Sequence, residues 1–127
     1  MPAKAQNELD VVHLLQAVVN TLPNVEARSG QVTMVRAIAD AIANERHLIV
    51  QAGTGTGKTL GYLVPAIASG KRVVVSTYTK ALQDQLAKHD LPVLASALAP
   101  HIGREITWAV LKGRNNYLCA QRIAEIR

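Results

Sequence analysis

The stretch His47-Leu-Ile-Val-Gln-Ala-Gly-Thr-Gly-Thr-Gly-Lys-Thr59 decides how this chain is read. A short apolar run opens directly into glycines, and a Gly-Lys-Thr triplet closes the segment. That order predicts a buried strand, a glycine-rich turn and the first turn of a helix. Glycines suit the turn because its backbone must wrap an anion closely, through dihedrals that a Cβ forbids. The loop amides then meet the positive end of the helix that starts near Gly57. Lys58 supplies a cation for the β- and γ-phosphates of a nucleotide, and the Thr59 hydroxyl is placed to coordinate Mg²⁺. The pattern runs Ala52-x4-Gly57-Lys58-Thr59, with Ala52 where the most quoted form has Gly; Gly53, Thr54, Gly55 and Thr56 complete the cradle. Such a loop names the ligand class and not the job, since kinases, GTPases, transporters and motors share it.

Outward from the loop, apolar periodicity organises the rest of the chain. Leu9, Val12, Leu15, Val18 and Val19 recur at helical spacing and stop at Leu22-Pro23-Asn24. A second helix spans about 29–43, with Met34, Ile38 and Ile42 on one stripe and Val35 beside it. A helix over 59–69 is closed by Gly70. Arg72-Val-Val-Val-Ser76 is the second expected strand, followed by helices over 79–89 and 91–98. Ile106-Thr-Trp-Ala-Val-Leu111 is the third strand, and 116–127 the last helix. Strands alternating with helices predict an α/β fold, a parallel sheet flanked by helices.

Composition agrees with a packed intracellular domain. The 127 residues are 49% apolar, so a core is expected, yet Phe is absent and Trp occurs once. Ala, Val, Leu and Ile must therefore build that core. One Cys excludes an internal disulfide, and no signal peptide or membrane-length apolar run is present, which makes a cytoplasmic protein the expectation. Charge is uneven: from Lys58 onward ten basic residues face four acidic ones. An anionic partner or an ordinary solvated basic surface explains that equally well. Trp108 and the four His residues carry no usable pattern.

Three segments around the loop narrow its job. Arg28 and Gln31 lie in Glu26-Ala-Arg-Ser-Gly-Gln31; a Gln amide matches the N6/N7 edge of adenine, and a guanidinium stacks on its ring. Val73-Val-Val-Ser-Thr-Tyr-Thr-Lys-Ala-Leu-Gln-Asp-Gln-Leu86 ends a strand in a hydroxyl-rich turn. There Thr77, Thr79 and Lys80 suit the phosphates of single-stranded DNA, and Thr79 also suits an ordinary helix cap. Trp108-Ala-Val-Leu-Lys-Gly-Arg-Asn-Asn-Tyr-Leu-Cys119 follows the third strand. Together these segments resemble the DinG/XPD-type helicases of superfamily 2, from about Glu26 to Arg122.

The resemblance implies an incomplete RecA-like P-loop NTPase domain and an ATP-dependent DNA helicase working in repair or replication. It further implies 5′→3′ polarity, which no residue chemistry here encodes. By the same resemblance Arg28 and Gln31 read adenine, Cys119 is the first of four ligands of a [4Fe–4S] cluster, and Lys112 and Arg114 join the DNA contacts. ATP, Mg²⁺ and the cluster are the implied cofactors, single-stranded DNA is the partner, and a monomer without membrane contact is expected. Residues 1–24 form a lead-in helix, 25–111 the front of the first motor domain, and 112–127 the start of the cluster domain.

The family's downstream acidic pair, second motor domain and remaining cysteines have no counterpart among these residues. After Thr59 the carboxylates are Asp84, Asp90, Glu105 and Glu125, none adjacent to another. The chain ends in mid-helix at Arg127, which fits a fragment with little or no ATP hydrolysis of its own. Two alternatives stay open: a non-catalytic nucleotide- or DNA-binding remnant, and a P-loop ATPase or kinase unrelated to nucleic acid.

Overall fold

A computed structural model describes residues 2–23, 28–53 and 57–126, with side chains from residue 11 onward. Thr54, Gly55 and Thr56 of the loop, and Glu26 and Ala27 before Arg28, lie outside the described residues.

Helix α1 (Pro2–Thr21) ends where Leu22 N–H donates to the Val19 carbonyl, just ahead of Pro23. Its buried stripe is Val11, Leu14, Leu15, Val18 and Val19, one position round from the expected one, with Val12 only half-buried at its edge. Burying an aliphatic side chain contributes about 1.5–3 kcal/mol. Five of them outweigh anything the ends of α1 supply, so packing holds this helix.

Helix α2 (Ser29–Ala43) divides its apolar residues between two faces. Gln31, Val35 and Ala41 are buried, whereas Met34, Ile38 and Ile42, the expected stripe, are half-buried along an open groove. Helix α3 (Lys58–Ala68) crosses α2 closely at Gly61, where a Cβ would stand 2.8 Å from the Met34 sulphur. Leu63 and Val64 carry α3 into the core, and Gly70 ends it as expected.

The two helices expected over 79–89 and 91–98 are one continuous helical run. Helix α4 (Lys80–Gln85) passes through a π-helical stretch, Leu86–Asp90, into helix α5 (Leu91–Ile102). Pro92 accounts for the join: its ring conflicts with the carbonyl four residues back, and a widened turn relieves the conflict without breaking the helix. Leu91 N–H accordingly donates to Leu86 O, five residues back. Leu86, Leu94 and Leu98 complete a core cluster whose buried members are Val and Leu, with the expected Ala and Ile packed partly buried against it.

The expected parallel sheet does not form among the described residues, none of which is in a β-strand. Segments 47–51, 72–76 and 106–111 lie outside the helices, and exposure alternates along the first two. Leu48, Val50, Val73 and Val75 are about half covered, while Ile49 and Val74 between them are 96% and 90% exposed. In those two segments one side is partly covered and the other is bare. A strand is stabilised by its ladder partner, and these segments do not pair with one another. The last helix is also shorter than expected: a 3₁₀ turn (Arg114–Asn116) and extended Tyr117 precede helix α6 (Ala120–Glu125).

Candidate phosphate-loop site

The loop meets α3 at Gly57, whose φ of 69° and ψ of 39° place it in the left-handed region. A side chain there costs about 1–2 kcal/mol in backbone strain. A Cβ would also stand 2.2 Å from Gln31 Nε2. The backbone therefore requires glycine, and any Cβ would also force the Gln31 amide to shift. Gln31 is 3% exposed, and its amide donates to the Gly57 carbonyl at 3.1 Å. The same carbonyl accepts from Gly61 N–H, the first intrahelical bond of α3, so the amides of Lys58, Thr59 and Leu60 have no acceptor within the helix. They form the positive end of the helix dipole. Across the mouth, Lys58 Nζ donates to the Ala52 carbonyl at 3.2 Å, so one cation spans the loop from its last residues to its first.

Behind the loop, Tyr62 lies one helical turn from Thr59 on α3. Burial pushes the Tyr62 phenol above its ordinary value, the Thr59 hydroxyl opposes that rise, and the Asp90 carboxylate adds to it. Asp90 is itself raised, first by burial, against a hydrogen bond from Gln85 and the nearby His89. Its Oδ2 is buried without a hydrogen-bond partner. Arg28, in extended conformation ahead of α2, is exposed on the Gln31 side of the loop.

The hydroxyl-rich turn lies at the head of α4. Thr77 Oγ1 donates to the Thr79 carbonyl at 3.1 Å, and Thr79 Oγ1 accepts from Leu82 N–H at 3.2 Å, the capping bond. Lys80 is exposed, and Tyr78 between the threonines is fully so. Lys112 is not turned outward: its ammonium donates to Asp84 Oδ1 at 3.1 Å. Arg114 is exposed, as is the Cys119 thiol at the start of α6. Among the described residues no group of three His, Cys, Asp or Glu side chains could hold a metal ion, and no helix is long and apolar enough to cross a membrane.

The sequence singles out the loop residues but not the contact between Gln31 and Gly57, which lie 26 positions apart. It also passed over Asp84, whose (i, i+4) spacing to Lys88 was the available signal.

The pattern of the DEAD/DEAH box helicases matches residues 31–123. The chain is 46% identical over 104 residues to the ATP-dependent DNA helicase YoaA of Escherichia coli, covering 82% of this chain and 16% of that protein. It is 48% identical over 119 residues to the ATP-dependent helicase DinG of Mycobacterium tuberculosis, covering 91% of this chain and 18% of that one. The 3′-5′ exonuclease DinG of Bacillus subtilis is 39% identical over 115 residues, 87% of this chain and 12% of its own length. The chain thus spans less than a fifth of each of these relatives. No solved structure matches it.

Proposed function

Because the chain belongs to the DEAD/DEAH box helicase family, we propose that it forms the ATP-binding part of an ATP-dependent DNA helicase that moves 5′→3′ on single-stranded DNA. The loop geometry carries this reading: a left-handed Gly57 heads α3, and Lys58 reaches back over the loop to Ala52. Phosphate oxygens in that concavity would accept from the free amides of the first helical turn. Lys58 would exchange a neutral carbonyl for a charged acceptor, a stronger bond. Thr59 would ligate Mg²⁺. Arg28 and Gln31 would frame the adenine. Bound ATP supplies the phosphoryl group whose transfer to water drives such a motor; these residues bind and orient it. Without a neighbouring acidic pair the chain leaves the attacking water unactivated, so little hydrolysis is expected from it alone.

Thr77, Thr79 and Lys80, together with Arg114, are proposed to take the phosphates of the nucleic acid. The alternating exposure of 47–51 and 72–76 supports a parallel RecA-like sheet completed by further strands. Cys119 is proposed as one ligand of a [4Fe–4S] cluster in a longer protein. The residues present do not fit a complete cluster site, because a single exposed thiol meets none of the other three requirements.

Calorimetry of the 127-residue chain with ATP and Mg²⁺ tests the loop. Uptake is expected, and Lys58→Ala should weaken it about ten- to a hundredfold, as loss of a charged hydrogen bond does. No uptake by the unsubstituted chain overturns the reading. In a longer protein, Lys58→Ala should abolish unwinding and spare oligonucleotide binding; unchanged unwinding would remove Lys58 from its role.

A further inference from the structure

Lys112 lies in a segment that closes on itself and on α4. Its backbone N–H donates to the Tyr117 hydroxyl at 2.9 Å, folding 112–117 into a short loop. Inside that loop, Asn116 N–H and its side-chain amide both bond the Gly113 carbonyl, at 2.9 and 3.0 Å. Two bonds then fasten the loop to the helix. Gln83 Nε2 donates to the Leu111 carbonyl at 3.0 Å, and Lys112 Nζ donates to Asp84 Oδ1 at 3.1 Å. The second carboxylate oxygen faces Lys88 at 3.8 Å. The Lys112 hydrogen bond is the main cause that holds the Asp84 carboxyl below its ordinary range, with both lysines adding attraction against some burial.

We propose that Asp84 is a positioning residue. With Gln83 it braces the 111–117 loop on α4, so the hydroxyl-rich turn at 77–80 and the segment carrying Arg114 and Cys119 present one fixed surface to the nucleic acid. This deepens the nucleic-acid reading above and rests on it.

Neighbouring positions on one short helix supply both bonds, one to the backbone and one to a side chain, across a separation of 28 residues each. The backbone bond sets the height of the loop on the helix, and the ion pair sets its rotation. Lys80, five positions before Gln85 on the same helix, and Arg114, two after Lys112, are then the cations left facing outward. Lys112 carries its charge but directs it inward, onto Asp84.

Hydrogen exchange and salt-dependent binding of a fluorescent oligothymidylate to the 127-residue chain separate the alternatives. Asp84→Asn and Lys112→Met should each speed exchange across residues 109–118 about two- to fivefold, the range of an exposed ion pair, and the double variant should go no further. Asp84→Glu, which keeps the carboxylate, should restore protection. Lys80→Met should lower the slope of log affinity against log salt by about 0.7, one phosphate contact on a single strand, whereas Lys112→Met should leave the slope unchanged. Unaltered exchange in Asp84→Asn, or a fall of about 0.7 in slope for Lys112→Met, overturns the proposal. If the unsubstituted chain binds no oligonucleotide, the nucleic-acid reading fails by itself, and the exchange data still decide the brace.

Discussion

Gly57 and Gln31 form a steric pair in which each residue explains the other. Gly57→Ala should lose about 1–2 kcal/mol to left-handed strain, and more because its Cβ meets the Gln31 amide. Gln31→Ala removes the collision but not the strain. The double variant should therefore be less destabilised than the sum of the singles, measured by urea denaturation; strict additivity would show that the two do not touch. Asp90 makes the opposite case, a buried oxygen without a partner. Its carboxyl is raised in the folded chain, so ionisation there opposes folding. That penalty is absent at pH values below the ordinary carboxylate range. It grows as pH rises from the ordinary value through the raised one and is complete above that. Asp90→Ala should raise the thermal midpoint at pH 7 and lose that advantage in acid. A gain independent of pH would point to helix propensity instead. The glycine-rich motif was legible in the sequence because it is contiguous. Neither the Gln31 contact nor the orphaned Asp90 oxygen was legible, because each arises between distant elements.

At the scale of elements, α4 is six residues long and buries none of them, so its start depends on capping. Thr79→Ala should cost about 1 kcal/mol, and Thr79→Ser much less, read from denaturation midpoints. Equal losses for both would assign the effect to something other than the hydroxyl. Among the described residues the existence of each α-helix was readable, since 3.6-residue periodicity is local. Boundaries were not. A Pro at 92 reads as a break between two helices, yet the π-helical turn before it lets the run continue. The final helix loses its first turn because Tyr117 is drawn out to accept from Lys112 N–H. Periodicity is blind to both contacts.

The whole molecule is a helical layer with a bare face. Ile49, Val74 and Leu111 lie in the three segments outside the helices, and all three are at least 85% exposed. An apolar face of this kind favours self-association. Val74→Lys should shift sedimentation toward a smaller species while moving stability by no more than about 0.5 kcal/mol, as surface substitutions do. A large loss of stability would mean that Val74 is packed in solution.

The amino-acid order alone determined the glycine-rich motif, the existence of the helices and the aliphatic character of the core, because each depends on composition or on neighbours within a few positions. Only the tertiary structure decided which side of α2 is buried, that Gln31 supports Gly57, that Lys112 answers Asp84, and that the three apolar segments stand without ladder partners. Those outcomes depend on which distant groups meet, and residue spacing carries no record of that.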